Sequence, residues 1–291
     1  LDAVNAMAAP HLIVGGDSWM GRALGAGLRS AGAEVLATSR RAESSALHLD
    51  LAATPDSWAL PDQVDAAFLF SAVTSLAACR QDPEGTRRIN VRNTLTLAQR
   101  LLDRGAFVLF PSTNLVFDGE QPFCAAEAPR SPRGVYGRHK AEAEEGLLAL
   151  GGNVAVLRMT KVVGPDIPLF TAWARDLRAG QPVFPFHDMV MAPLPLALVL
   201  RAFCALAEAR APGIWQVSAQ EDIPYARAAG FLCRRLGADP GLVRPISWRD
   251  RPGVEEPPRH TTLDPSRLEA AFGITSPRAE DSLNEVFRSL E

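Results

Sequence analysis

The sequence predicts an α/β fold: a doubly wound parallel sheet with helices on both faces, followed by a smaller C-terminal region. Three observations carry that prediction. Apolar, strand-length runs alternate with helix-length runs through residues 11–160. The connections between them are short and rich in Gly, Pro and Asp. The first strand-type run passes straight into a glycine-rich turn and then a helical pattern, the context in which such a turn holds a dinucleotide.

Taken in order, His11–Val14 is a short buried-type strand, and Gly15-Gly16-Asp17-Ser18-Trp19-Met20-Gly21 is the turn. Arg22 to Ala31 reads as a helix and Glu34 to Thr38 as a second strand. The turn has glycines at 15 and 21, but Ser18 stands where a GxxGxxG pattern has its middle glycine. A side chain there either crowds the pyrophosphate or donates its hydroxyl to a phosphate oxygen. Past the second strand, where an acidic residue would take the ribose 2′-hydroxyl of NAD, the chain has Ser39-Arg40-Arg41. No carboxylate is expected there to repel a 2′-phosphate, and two guanidiniums can pair with one, so NADP(H) is favoured, with NAD(H) possible. The alternative is that both arginines are solvated loop charges. Leu47 to Leu51 is expected as a third strand, Ala66 to Ser71 as a fourth, residues 84–103 as helical, and Phe107 to Phe110 as a strong strand.

Composition narrows the class. With 47% hydrophobic and 22% charged residues, the chain is that of an ordinary soluble globular domain. A net charge of −3 argues against nucleic acid or a membrane surface as partner. Cys79, Cys124, Cys204 and Cys233 are scattered without metal-ligand spacing, which points to no metal and a reducing, cytoplasmic compartment. Neither a signal peptide nor a transmembrane run is read. Residues 1–6 precede Met7, the expected native start, and are set aside from fold reasoning.

Tyr136-Gly-Arg-His-Lys140 stands out because the chain has two Tyr and, at 140 and 161, two Lys; the other 28 of its 30 basic residues are Arg. A lysine kept against that bias points to a role for a flexible ammonium. On a helix, positions i and i+4 share a face, with Cβ atoms about 5–6 Å apart. At an effective dielectric near 20 that charge is worth about 3 kcal/mol, enough to draw a phenol from about 10 toward about 8. The alternative is a surface helix carrying a fortuitous pair.

Pro111-Ser112-Thr113-Asn114-Leu115-Val116-Phe117-Asp118-Gly119 resembles the STDYVFDG stretch of dTDP-4-dehydrorhamnose reductases, within the extended short-chain dehydrogenase/reductases. Other segments follow the family's order: Gly15…Gly21, Asp50-Leu51, Ile89-Asn90-Val91, Tyr136…Lys140, Val156 to Arg158, and Thr261 to Leu268 near the end. The resemblance runs from about residue 11 to 290. It implies a Rossmann domain over 1–160 and, over 161–291, mainly a substrate-binding region with segments returning to the Rossmann core. The implied enzyme is an NADP(H)-dependent reductase of a nucleotide-linked 4-keto sugar. Tyr136 would be its proton donor, Lys140 would lower the tyrosine's pKa and hold the nicotinamide ribose, and Thr113 would hydrogen-bond the substrate oxygen. Asn90 would support the active-site helix or a proton-relay water. Cofactor contacts would come from Gly15, Asp17, Ser18, Trp19, Met20, Gly21, Ser39, Arg40, Arg41, Asp50, Leu51, Ser71 and Ala72, with Tyr136 and Lys140.

Departures from the family pattern fall on the substrate side. Asn114-Leu115 replaces Asp-Tyr, Lys161 replaces a Trp, and Arg259 is displaced behind Pro257-Pro258. Thr74, Asn114, Lys161, His187 and Arg259 are the expected substrate contacts. Lys161 either binds a carboxylate or phosphate or snorkels at a strand end. His187 beside Asp188 is either a catalytic dyad or structural, and Trp173 or Phe186 either stacks on a nucleobase or is buried. Rival readings are an NAD-dependent sugar-nucleotide epimerase or dehydratase and a catalytically silent subunit, as the regulatory subunit of methionine adenosyltransferase resembles the same family. A homodimer through the helices at 89–102 and 138–150 is a further implication of the resemblance.

Overall fold

The computed structural model describes residues 9–41 and 47–290, so the expected start at Met7 lies outside the described residues. The elements are β1 (His11–Val14), α1 (Trp19–Ser30), β2 (Val35–Ser39), β3 (Leu47–His48), β4 (Ala66–Leu69), α2 (Leu76–Gln81), α3 (Pro83–Arg87), α4 (Thr94–Leu102) and β5 (Phe107–Thr113). They continue through α5 (Val135–Ala149), β6 (Val154–Met159), β7 (Lys161–Val163), α6 (Pro168–Arg178), β8 (Val190–Met191), β9 (Pro193–Pro195) and α7 (Leu196–Glu208). The chain ends with β10 (Gly213–Val217), β11 (Ile223–Pro224), α8 (Tyr225–Arg235), α9 (Ser266–Phe272) and α10 (Ala279–Arg288).

Seven strands form one sheet in the order β10-β6-β5-β4-β1-β2-β3. The four pairs made by β1 to β5 are all parallel, with Leu12 opposite Leu36 on one side and Ala67 on the other. From β1 the chain winds outward to β3, then returns to the far side of β1 as β4. The strand order therefore reverses beside β1, and the crevice for a dinucleotide in a Rossmann sheet opens at such a reversal, beyond the carboxyl ends of the strands.

The chain divides into two compact units. The first comprises residues 1–116, 132–157 and 203–214; the second comprises 117–131, 158–202 and 215–291. In the first, Leu12, Val14, Ala67, Leu69, Val108, Phe110 and Val156 from the strands pack with Leu97, Leu101 and Leu147 from α4 and α5. Fully buried strands explain the continuous apolar runs that marked β1, β4 and β5 in the sequence. Phe203 joins this unit edge-on to Phe68 and Phe70, at ring separations of 6.3 and 5.2 Å. The second unit has its own core, built on Phe170, Trp173, Leu177, Leu232, Leu283 and Phe287. Burying each such large side chain contributes about 1.5–3 kcal/mol.

Several boundaries differ from expectation. The first helix starts at Trp19 rather than Arg22, because Ser18 caps it: its Oγ accepts the Gly21 N–H at 3.0 Å. The third strand stops at His48, where the chain turns inward to bury Leu49 and Leu51, and the fourth stops at Leu69. The helical stretch at 84–103 is α3, a π-helical segment Arg88–Asn93, and α4. The fifth strand continues past Phe110 to Thr113, and its residues alternate between half-buried and buried toward its carboxyl end. Helices α2, α6 and α10 have no counterpart among the helices expected from the sequence.

Candidate active site

The glycine turn is fitted tightly to its neighbours. Gly15 has a φ of 81° and donates its N–H to Thr38 Oγ1 at 3.1 Å; a Cβ there would stand 2.9 Å from Ser71 N. A Cβ on Gly21 would lie 2.4 Å from Gly15 O. The turn thus holds the start of α1 close to the end of β1, and Gly15 itself packs against Ser71, which with Ala72 follows β4. Ser18 is a helix cap, its oxygen held by Gly21 while its hydroxyl hydrogen can still be donated. The N–H groups of Trp19 and Met20, in the first helical turn, have no intrahelical acceptor by helix geometry and carry the positive end of the helix dipole.

The expectation of no carboxylate near the end of β2 needs correction. Asp17 reaches across from the turn, where Oδ2 accepts the hydroxyl of buried Ser39 at 3.2 Å and lies 3.7 Å from Arg41 Nε. Arg40 is exposed. Asp50 closes a local turn by accepting the Ala52 N–H at 2.8 Å, and Trp58 Nε1 donates to its carbonyl. Leu51 is buried, with its carbonyl held by Asn93 Nδ2 at 2.6 Å.

Thr113 ends β5, and Tyr136 and Lys140 lie one turn apart on α5. Gly137 lets the two elements approach: a Cβ at that position would stand 2.2 Å from Leu115 O. Lys140 is buried; its Nζ donates to Pro111 O at 2.7 Å and lies 4.1 Å from the Phe110 ring centroid and 6.0 Å from that of Tyr136. Thr113 Oγ1 accepts the Leu115 N–H at 3.2 Å and donates weakly to Asn114 Oδ1 at 3.4 Å. Asn90, in the π-helical segment, pairs with one residue at both ends of its amide. Oδ1 accepts from Val73 N and Nδ2 donates to Val73 O, each at 2.8 Å. That grip fixes the segment after β4, leaving Thr74 exposed just beyond it.

Burial governs the protonation states here. It drives the Tyr136 phenol far above its ordinary value, with the buried Cys79 thiol adding to the shift. The expected fall toward about 8 therefore does not occur, because Lys140 turns its ammonium to the Pro111 carbonyl rather than to the phenol. It is Lys140 that falls to about 8, through burial, with Glu144 opposing the shift. Glu144 is a further member of the site, not among the residues expected from the sequence. It is fully buried one turn beyond Lys140, and Oε1 accepts the Ser112 hydroxyl at 2.5 Å. Its signal was the i+4 and i+8 spacing of a carboxylate behind Lys140 and Tyr136 on an otherwise packed helix face.

The remaining candidates belong to the second unit. Lys161 opens β7 with a solvent-exposed side chain and pairs in register with Pro193 of β9; partial desolvation by its neighbours lowers its pKa. Arg259 is an exposed partner of Glu120 at 3.3 Å. His187 is exposed, and Asp188 is engaged elsewhere: it accepts from Ser247 Oγ, Trp248 N and Arg249 Nη1, which makes it an anchor for that loop. Trp173 lies in the core against Phe170, so its side chain is used in packing.

The family model for the RmlD substrate binding domain matches residues 10–291. A probable low-salt glycan biosynthesis reductase of Haloferax volcanii is 29% identical over 229 residues, covering 76% of each chain. A dTDP-4-dehydrorhamnose reductase of Mycobacterium tuberculosis is 30% identical over 251 residues, covering 77% of this chain and 79% of its own. Among solved structures, a dTDP-4-dehydrorhamnose reductase of Bacillus anthracis in complex with NADP superposes with a TM-score of 0.84 at 17% identity. That match covers 98% of this chain and 99% of the other.

Proposed function

The chain belongs to the RmlD substrate-binding-domain family, and from that premise we propose that it is an extended short-chain reductase, using NADP(H) to reduce a nucleotide-linked 4-keto sugar. The observation that carries the reading is the joint placement of Thr113, Tyr136 and Lys140 where β5 meets α5. They lie at the carboxyl ends of the strands, as do the glycine turn after β1 and the Asn90-held segment after β4. NAD(H) remains the alternative cofactor of this reading.

The residues present fit a dinucleotide. Gly15 and Gly21 leave no room for a Cβ, which keeps the turn tight and the start of α1 close to β1, so that the helix N-terminus can face a pyrophosphate. Trp19, Met20 and the Ser18 hydroxyl would serve its oxygens, Arg40 and Arg41 a 2′-phosphate, and Asp50, Leu51, Ser71 and Ala72 the adenosine and central parts. The nicotinamide, when bound, supplies the hydride. The protein's share is to handle the negative charge that grows on the carbonyl oxygen. Tyr136 gives that oxygen its proton. Thr113 donates a second hydrogen bond, and Lys140 supplies positive charge and a rotatable donor for the ribose. Asn90 acts as a positioning residue through Val73. Thr74, Asn114, Lys161, His187 and Arg259 are proposed substrate contacts, and a homodimer through the α4 and α5 faces is proposed with them. No described helix is long and apolar enough to cross a membrane.

The reading is tested by mixing the purified protein with NADPH and a panel of nucleotide-linked 4-keto sugars while following nicotinamide absorbance. Turnover of a panel member, lost in Tyr136→Phe, is the expected result; binding of NADPH without turnover of any member would overturn the reductase assignment. Changing Arg40 and Arg41 together to Ala should weaken NADPH more than NADH, and equal losses would contradict the 2′-phosphate reading.

A further inference from the structure

We propose that Asp17 sets the chain's preference between the two nicotinamide dinucleotides, working against Arg41 at the ribose 2′ position. The proposal rests on the dinucleotide reading above and assigns to Asp17 an effect that the Ser39-Arg40-Arg41 sequence conceals. A carboxylate at the end of the second strand of this fold accepts the ribose 2′-hydroxyl of NAD and repels the 2′-phosphate of NADP. Here no residue at the end of β2 is acidic. Asp17 arrives at that spot from the glycine turn and brings its carboxylate to Ser39 and Arg41.

The geometry makes Asp17 the fixed member of the pair. Ser39 is 1% exposed, and its hydroxyl is engaged on both sides: it donates to Asp17 Oδ2 at 3.2 Å and accepts the Arg41 N–H at 3.0 Å. The Arg22 guanidinium donates to the Asp17 carbonyl at 2.6 Å, holding the backbone from the other side. Arg41, by contrast, has a side chain 75% exposed and only a 3.7 Å contact with the carboxylate. Such an exposed pair is weak and screened by salt, so a phosphate can draw the guanidinium away. The carboxylate stays.

Two consequences oppose each other. A 2′-hydroxyl can donate to Asp17, which supports NADH. A 2′-phosphate gains Arg41, but it must compete with Asp17 for that guanidinium and then sit near a fixed negative charge. The chain therefore discriminates between the two dinucleotides less than its arginine pair alone would dictate, and neutralising Asp17 should release the full preference.

The test is a fluorescence titration of NADPH and NADH against the wild-type protein, Asp17→Asn and Ser39→Ala. Asn keeps an acceptor for Ser39 and removes the charge; Ala leaves the charge and removes its anchor. Asp17→Asn should raise the NADPH-to-NADH affinity ratio by about five- to tenfold, the scale of one unit charge a few ångströms away in a watery site. Ser39→Ala should move the ratio in the same direction by a smaller factor. Variants that bind both dinucleotides at the wild-type ratio would overturn the role of Asp17 and leave the dinucleotide site standing. A wild-type protein that binds neither would overturn the dinucleotide reading and this proposal together.

Discussion

Ser112 donates its hydroxyl to Glu144 at 2.5 Å, and the carboxylate so held sits one helical turn beyond Lys140. Three side chains on one stripe of α5, at 136, 140 and 144, thus run from phenol to ammonium to carboxylate. The ammonium is also faced by the Pro111 carbonyl and the Phe110 ring from β5 and by the Cys79 thiol from α2. Burial removes water from Lys140, and Glu144 supplies the opposing negative charge that helps it keep a proton. Glu144→Gln preserves a partner for Ser112 and removes that charge. Lys140 should then lose its proton below the wild-type value of about 8, so turnover should fall at lower pH in the variant. A kcat/KM profile checks this; a loss of equal size at every pH would assign Glu144 to packing alone.

The same lysine makes a prediction about stability. Its folded value of about 8 lies below the ordinary 10.5, so between those pH values the unfolded chain binds more protons than the folded one. Stability from this group therefore rises with pH across that window, and below about pH 8 the full cost of the buried charge is present. Denaturant melts of wild type and Lys140→Met at a series of pH values should show their difference changing across the window. A constant difference would mean that Lys140 does not titrate there.

Tyr136→Phe should reduce turnover by at least about a hundredfold, the scale of one general acid, while leaving NADPH affinity within about twofold. Single-turnover kinetics and a binding titration separate the two effects. Loss of both together would move Tyr136 from proton donor to cofactor support.

Gly137→Ala replaces a poor helix former with the best one, a change worth about 1 kcal/mol in favour of an exposed helix. Here the added Cβ meets the Leu115 carbonyl oxygen at 2.2 Å, a backbone atom that cannot swing aside as a side chain could. Destabilisation of about 1–3 kcal/mol is expected, with a fall in kcat as α5 is pushed away from Thr113. A thermal melt and steady-state kinetics on the same preparation check both.

Arg158 is fully buried in the second unit. It donates to the Ala126 carbonyl at 2.9 Å and to Gln216 at 3.4 Å, and its guanidinium lies 5.0 Å from the Phe117 ring centroid. Gln216 in turn donates to the carbonyls of Cys124 and Asp264. Arg158→Met should cost about 2–4 kcal/mol by stranding these acceptors, seen as a lower denaturation midpoint.

What the sequence revealed followed from local rules. Buried parallel strands write themselves as unbroken apolar runs, and the turn at Gly15–Gly21 sits between strand and helix as its chemistry requires. Tyr136 and Lys140 were visible because those residue types are scarce here. Asp17 was hidden for a spatial reason: its carboxylate acts at the end of β2, 22 residues from Ser39 along the chain. The Tyr136 shift was misjudged because spacing gives the distance between two side chains but not the water each has lost, nor that Lys140 has Pro111 to turn to. Helix α6 was obscured by the prolines around it, although Pro168 occupies the first helical position that proline favours.

The return of residues 203–214 to the first unit carries a consequence for biosynthesis. As the chain leaves the ribosome at about 5–20 residues per second, everything needed for β1 to β6 emerges well before Phe203 and β10. Until they arrive, β6 presents an open sheet edge and Phe68 and Phe70 lack the ring that packs edge-on against them. The nascent protein must therefore pass through a stage with an unfinished, adhesive border. A stop codon or ribosomal stall between residues 157 and 203 should produce fragments that aggregate rather than a small independent dinucleotide-binding domain.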